Sequence, residues 1–186
     1  ANYGVILKGL GNSQEAELLY RKAIELNPDF TEAHSNLGSI LIDLGKLQEA
    51  ELSTRKAIEI KPDYSNAHYN LGIILKDLCK LKEAELSTRK AIELNPDFAK
   101  AHYNLGNILK DLGKLKDAEL SYRKAIYIKP DYAEAHSNLG EIFKDLGYFD
   151  DALNQFKQAL KLNNELSLAK HSLITTKAKT CDWSDE

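Results

Sequence analysis

Asparagine recurs at one spacing along this 186-residue chain: Asn2, Asn36, Asn70, Asn104 and Asn138 each lie 34 residues after the last. Asp43, Asp77, Asp111 and Asp145 follow seven residues behind the last four of them. An asparagine amide carries donors and an acceptor together, so a row of amides suits gripping a polypeptide main chain whatever its sequence. Seven residues at about 3.6 per turn bring each aspartate almost under its asparagine, on one side of a helix. If equivalent helices stand roughly 10 Å apart and extended peptide rises about 3.3 Å per residue, one asparagine meets every third ligand residue or so. The nine residues are therefore the expected peptide-binding set, with the aspartates tuning side-chain preference. Two plainer roles compete. The asparagines also suit tying neighbouring helices together. The aspartates, three of which follow a lysine, also suit a solvated helix end, although acidic residues there run against the helix dipole.

Other chemistries find little support. His34, His68, His102 and His136 resemble a metal array, but one per 34 residues is too sparse to share an ion at about 2 Å; packing or hydrogen bonding is expected of them. No nucleophile–base spacing, phosphate-cradling glycine loop or metal motif is present. No catalytic residue, metal or cofactor is therefore expected. The net charge of −3 gives no global pull toward nucleic acid or anionic lipid, and the repeated S-x-R-K stretches are interleaved with acidic residues, so no basic stripe forms. No run of 18 apolar residues suggests a membrane span. The N-terminal stretch lacks the basic and apolar regions of a signal peptide. Cys79 and Cys181 stand alone, which fits a reducing compartment. A soluble, cytoplasmic protein is expected, whose partner is a protein or peptide, with self-association as a further outcome.

The elements that position these residues follow from the same period. Pro28, Pro62, Pro96 and Pro130 are 34 apart, and so are Gly4, Gly38, Gly72, Gly106 and Gly140. Alanine columns run through Ala16 and Ala23 and recur in every later repeat. Such self-similarity decides the fold before any single motif does. With each proline at position 32, full repeats span 31–64, 65–98, 99–132 and 133–166, and 1–30 is a partial one. Leu71, Ile74, Leu75 and Leu78 have helical spacing. Gly45, Gly113 and Gly147 stand where a left-handed helix cap is wanted. Each second helix ends before its proline, which cannot continue it. Cys79 replaces the cap glycine of its repeat, at a cost of roughly 1 kcal/mol. One hairpin cannot bury its own apolar face, so stacking supplies the core. About eleven helices are expected, the last near 167–180.

The columns Leu-Gly, large apolar, Ala, aromatic, Ala and Pro, as in Leu105, Gly106, Leu109, Ala118, Tyr122, Ala125 and Pro130, resemble the tetratricopeptide repeat over residues 1–166. Histidine replaces the usual leading Trp, and Thr54 and Thr88 replace the aromatic. The resemblance implies an all-α, right-handed superhelix of antiparallel hairpins, with first helices lining a concave groove. Some such domains hold a carboxylate with basic residues on first helices. Here Lys100 is the only basic residue at position 2, so that subtype is disfavoured. A narrower resemblance lies in AHSNLG and the terminal CDWSDE, which are similar to protein O-linked N-acetylglucosamine transferases and their Spindly-type relatives. It implies that the asparagines form that family's inner ladder. Ala169 and Leu173 keep the repeat columns, so 167–180 is expected as one more first helix that caps the array, and the resemblance implies that residues 167–186 go on to begin a linker to a catalytic domain and that this chain is a non-catalytic substrate-recognition region. The alternative is an assembly module with no linked transferase.

Overall fold

The computed structural model describes residues 12–180, and the chain divides into two compact units that meet at Pro96 and Asp97. The expected first helix, with Gly4 and Asn2, lies outside the described residues, as does the Cys181-Asp182-Trp183 segment. Among the described residues there are ten helices and no strand. The first unit holds α1 (Ser13–Leu26), α2 (Thr31–Asp43), α3 (Leu47–Ile60), α4 (Ser65–Asp77) and α5 (Leu81–Leu94). The second holds α6 (Ala99–Asp111), α7 (Leu115–Ile128), α8 (Ala133–Asp145), α9 (Phe149–Leu162) and α10 (Ser167–Thr180).

Within the first unit, α2 pairs with α3 and α4 with α5 as hairpins, and α2 also touches α4. Within the second, α6 pairs with α7 and α8 with α9, and α10 packs on both α9 and α8. Even-numbered helices are thus the first helices of their repeats. Their apolar columns are buried, as Leu37, Leu41, Leu71, Leu75, Leu105, Leu109, Leu139 and Phe143. The expected stack is therefore what fills the core of each unit.

Two local devices set the hairpins. First, every first helix from α2 to α8 ends in a Schellman turn, in which two backbone N–H groups satisfy the last free carbonyls. For α2, Lys46 N donates to Leu41 O at 2.8 Å and Gly45 N to Ile42 O at 2.9 Å. The turn needs a left-handed residue. Gly45, Gly113 and Gly147 supply it at φ 71°, 74° and 82°, and Cys79 adopts φ 60° in the same place. The bonds around Cys79 are intact, with Lys80 N to Leu75 O at 2.8 Å and Cys79 N to Lys76 O at 2.9 Å. The repeat geometry therefore overrides the preference of cysteine for negative φ.

Second, the helices of a hairpin touch through a glycine. A Cβ on Gly106 would stand 2.5 Å from Cε1 of the buried Tyr122, and one on Gly140 would stand 2.6 Å from Cε1 of Phe156. The aromatic column of the second helix thus fills the space that the glycine column leaves. In the 31–64 repeat Thr54 takes that place against Gly38, and its buried hydroxyl finds no partner. Successive second helices are joined by a repeated ion pair. In the first unit Lys46 Nζ meets Glu17 at 2.9 Å and Lys80 Nζ meets Glu51 at 3.0 Å. The Lys46 hydrogen bond, against the cost of burial and with help from Arg21, holds the Glu17 carboxyl below the ordinary carboxylate range.

Two stability outcomes follow. Cys79→Gly should raise unfolding stability by about 1 kcal/mol, because it removes the left-handed strain of a side-chain-bearing residue; a urea midpoint measured with the m-value held constant reads it. Gly106→Ala should lower stability by about 2 kcal/mol through overpacking against Tyr122, seen in the same titration.

Candidate functional site

The first helices carry the expected asparagines, and in each unit the structure ties asparagine side chains into the scaffold. In the first unit, half-buried Asn36 on α2 hydrogen-bonds Tyr20 of α1. Asn70 on α4 donates from Nδ2 to Ser35 O at 3.1 Å and to Ser35 Oγ at 3.2 Å, both on α2. In the second unit, Asn138 on α8 donates from Nδ2 to Tyr103 Oη at 3.1 Å and to Asn107 Oδ1 at 2.9 Å, both on α6. Asn104 is buried and engaged. Asn2 lies outside the described residues.

The helix-tying role is therefore present in each unit. An amide nitrogen has two hydrogens. For Asn70 and Asn138 both contacts run to a neighbouring first helix. Each side-chain oxygen is then held in a defined direction, with no donor to it among the described residues. These two residues present an acceptor, not the donor–acceptor pair that the amide group alone suggests.

Asp43, Asp77, Asp111 and Asp145 are exposed, and each is the last residue of its first helix. They lie one helix end away from the tied asparagines. Asp111 is close enough to oppose ionisation of the Tyr122 hydroxyl, which burial first of all pushes far up.

Around Asn138 the second unit builds a cluster that the period did not mark. The Tyr122 hydroxyl donates to Asn107 Oδ1 at 2.7 Å. Tyr103 stacks obliquely on Tyr122 at 5.9 Å and on Tyr132 at 4.9 Å between ring centroids. Lys129 stands over the Tyr132 ring at 5.1 Å. Burial raises the Tyr103 hydroxyl pKa, opposed by hydrogen bonds to Asn107 and Asn138. Position 9 of the other repeats holds Ser39, Ile73 and Glu141, so a search for recurring columns passes over Asn107. Its signal is an amide one helical turn beyond Tyr103, which is a weak one.

The histidines serve the loops. His34 Nε2 bonds Pro28 O at 2.9 Å, His68 Nε2 bonds Pro62 O at 2.8 Å and His136 Nε2 bonds Pro130 O at 3.1 Å. Each clasps the turn that enters its own helix. Among the described residues no group of three or more His, Cys, Asp or Glu is placed to hold a metal ion. No described helix is long and apolar enough to cross a membrane.

The second-helix side of the first unit has open clefts. One of about 440 Å³ is lined by Ile24, Leu37, Leu41 and Leu52 with Arg21 and Lys56 at its edge. A second of about 360 Å³ includes Ile58, His68 and Leu71. On the second helices of this unit Leu18, Leu52 and Leu86 are 68%, 71% and 70% exposed, and Leu120, at the same repeat position in the second unit, is 65% exposed; these four form a leucine column of the repeat.

Comparison with known proteins agrees with the fold. Family models of the tetratricopeptide repeat match residues 1–30, 19–51, 65–98, 88–119 and 133–166, and a TPR repeat model matches 38–78 and 106–147. No curated protein sequence matches the chain. Among solved structures, MamA is similar at 28% identity and a TM-score of 0.75, over 87% of this chain and 95% of that one. TTC0263, a thermophilic TPR protein of Thermus thermophilus, is similar in fold at 24% identity and TM-score 0.80, over 95% and 96%. YrrB, a TPR protein with an unusual peptide-binding site, is similar in fold at 24% identity and TM-score 0.71, over 92% and 88%. With repeat models covering the hairpins end to end, the chain belongs to the tetratricopeptide repeat family.

Proposed function

We propose that the chain binds extended polypeptide on the first-helix face of each unit, and that Asn36, Asn70, Asn104, Asn138 and Asn2, with Asp43, Asp77, Asp111 and Asp145, form the binding set. The observation that carries this reading is the oriented side-chain oxygen of Asn70 and of Asn138. Each is fixed by the bonds its own nitrogen makes. A fixed acceptor costs a ligand less ordering entropy than a mobile one. A main-chain N–H matches it without regard to sequence. The exposed carboxylates at the helix ends add a preference for cationic side chains. The chain itself is read as non-catalytic, needing no cofactor.

Polypeptide is favoured over nucleic acid by where the cations are spent. Arg21, Arg55, Arg89 and Arg123 each pair with a glutamate four residues earlier, which leaves the arginines poorly disposed toward phosphates. The exposed lone Cys79 suits a cytoplasmic location. The finer reading, that this is the substrate-recognition region of an O-GlcNAc-transferase-like enzyme, rests on the AHSNLG and CDWSDE segments alone. Its test is whether the coding sequence downstream of Glu186 encodes a two-lobed glycosyltransferase.

A second reading is self-association through the second helices. The leucine column favours it, since four leucines at the same repeat position stay in water while their neighbours pack. Apolar surface of this kind marks interaction sites when contiguous.

Two measurements separate the readings. Asn70→Ala with Asn138→Ala should weaken binding of peptides selected from a random library about tenfold, while far-UV circular dichroism keeps its helical shape. Equal affinity would remove the asparagines from the site. For the second reading, sedimentation equilibrium should show a dimer that Leu52→Glu returns to monomer; a wild-type monomer at every concentration rejects it.

A further inference from the structure

We propose that Tyr103, Asn107 and Asn138 form a single main-chain docking point in the second unit, which holds both the N–H and the C=O of one ligand residue and seats its apolar or aromatic side chain against Tyr132. The proposal rests on the peptide-binding reading and places its strongest contact outside the recurring asparagine column.

The hydrogen-bond arithmetic is specific. Two amides and two phenols carry six donor hydrogens. The Tyr122 hydroxyl gives its hydrogen to Asn107 Oδ1, Asn138 Nδ2 serves both Asn107 Oδ1 and Tyr103 Oη, and Asn138 also hydrogen-bonds Tyr122. Asn107 also hydrogen-bonds Tyr103. Both lone-pair directions of Asn107 Oδ1 are filled. What remains is the Tyr103 O–H and a second Asn107 N–H as donors, next to Asn138 Oδ1 as acceptor. These are the complements of a peptide C=O and N–H. Tyr122 is fully buried, so the network hangs from a side chain that cannot reorient. Tyr103, Asn107, Asn138 and Tyr132 are all partly open to solvent.

A ligand side chain beside this pair meets the Tyr103–Tyr132 rings. Aromatic walls of this kind favour apolar or aromatic partners. Among the described residues the first unit has no counterpart. Its equivalents of Tyr103 and Asn107 are Ser35 with Ser39 and Tyr69 with Ile73, and Asn70 there is turned to the Ser35 backbone.

Asn107→Asp tests this with almost no change of shape. A carboxylate still accepts from Tyr122 and Asn138, and it also captures the Tyr103 hydroxyl, so the donors offered to a ligand disappear. The probes are fluorescein-labelled twelve-residue peptides selected from a random phage library on the wild-type chain. Binding to Asn107→Asp should weaken about tenfold or more, the scale of a lost hydrogen bond with a partner left unpaired. Tyr103→Phe, which removes only a hydroxyl, should weaken it several-fold and keeps the test alive if the aspartate variant fails to fold. Selected peptides should be enriched in apolar or aromatic residues. Binders indifferent to both folded variants would overturn this docking point and leave the broader peptide-binding reading standing. A library that yields no binder would overturn both.

Discussion

Each hairpin closes where a glycine of the first helix meets a large side chain of the second. Tyr122 lies on Gly106 and Phe156 on Gly140, both rings wholly buried. That contact sets how near the two helices stand, and so whether the alanine columns can pack at zero exposure. It also decides which faces remain for the next hairpin. Where threonine stands in for the ring, the packing persists, but a hydroxyl is left buried without a partner at Thr54. The repeat thus tolerates a small side chain in the aromatic column, with an unsatisfied polar group as the residue of that substitution.

The polar columns answer a second constraint, register between neighbouring first helices. An amide at position 6 reaches back to the preceding first helix, to Ser35 in one unit and to Tyr103 and Asn107 in the other. Polar groups bonded across neighbouring helices favour one arrangement over its near alternatives. The structural tie and the proposed binding role therefore need not be rivals at these positions. The tie uses the nitrogen and orients the oxygen, and pre-organised acceptors are what a weakly selective main-chain site requires.

The two faces of a hairpin end up chemically unlike. The first-helix side is polar, with amides, phenols and terminal aspartates. The second-helix side carries intrahelical Arg–Glu pairs, clefts floored by leucine and isoleucine, and the exposed leucine column. Exposed ion pairs contribute little to stability. Their larger consequence here is to neutralise the arginines, which leaves leucine as the distinctive feature of that surface.

Much of the fold was legible in the residues because its signals are local and repeated. Helix ends follow from proline and from cap glycines, whose geometry depends on a few adjacent residues, and even Cys79 could be assigned its left-handed place from its column. The buried positions 7 and 11 follow from helical spacing. The candidate site was legible only by column. Sequence marks Asn70 and Asn138 as alike, since both stand at position 6. Which atoms of each amide remain for a ligand depends on the residue that faces it from a helix more than thirty positions away. In both cases the oxygen is what remains, but serine holds the nitrogen in one unit and tyrosine together with Asn107 holds it in the other. Asn107 occurs once and so has no period to betray it. Its place in the proposed docking point comes from Tyr122 and Asn138 converging on it, beside Tyr103 of its own helix, and only tertiary packing brings those three helices within hydrogen-bonding distance.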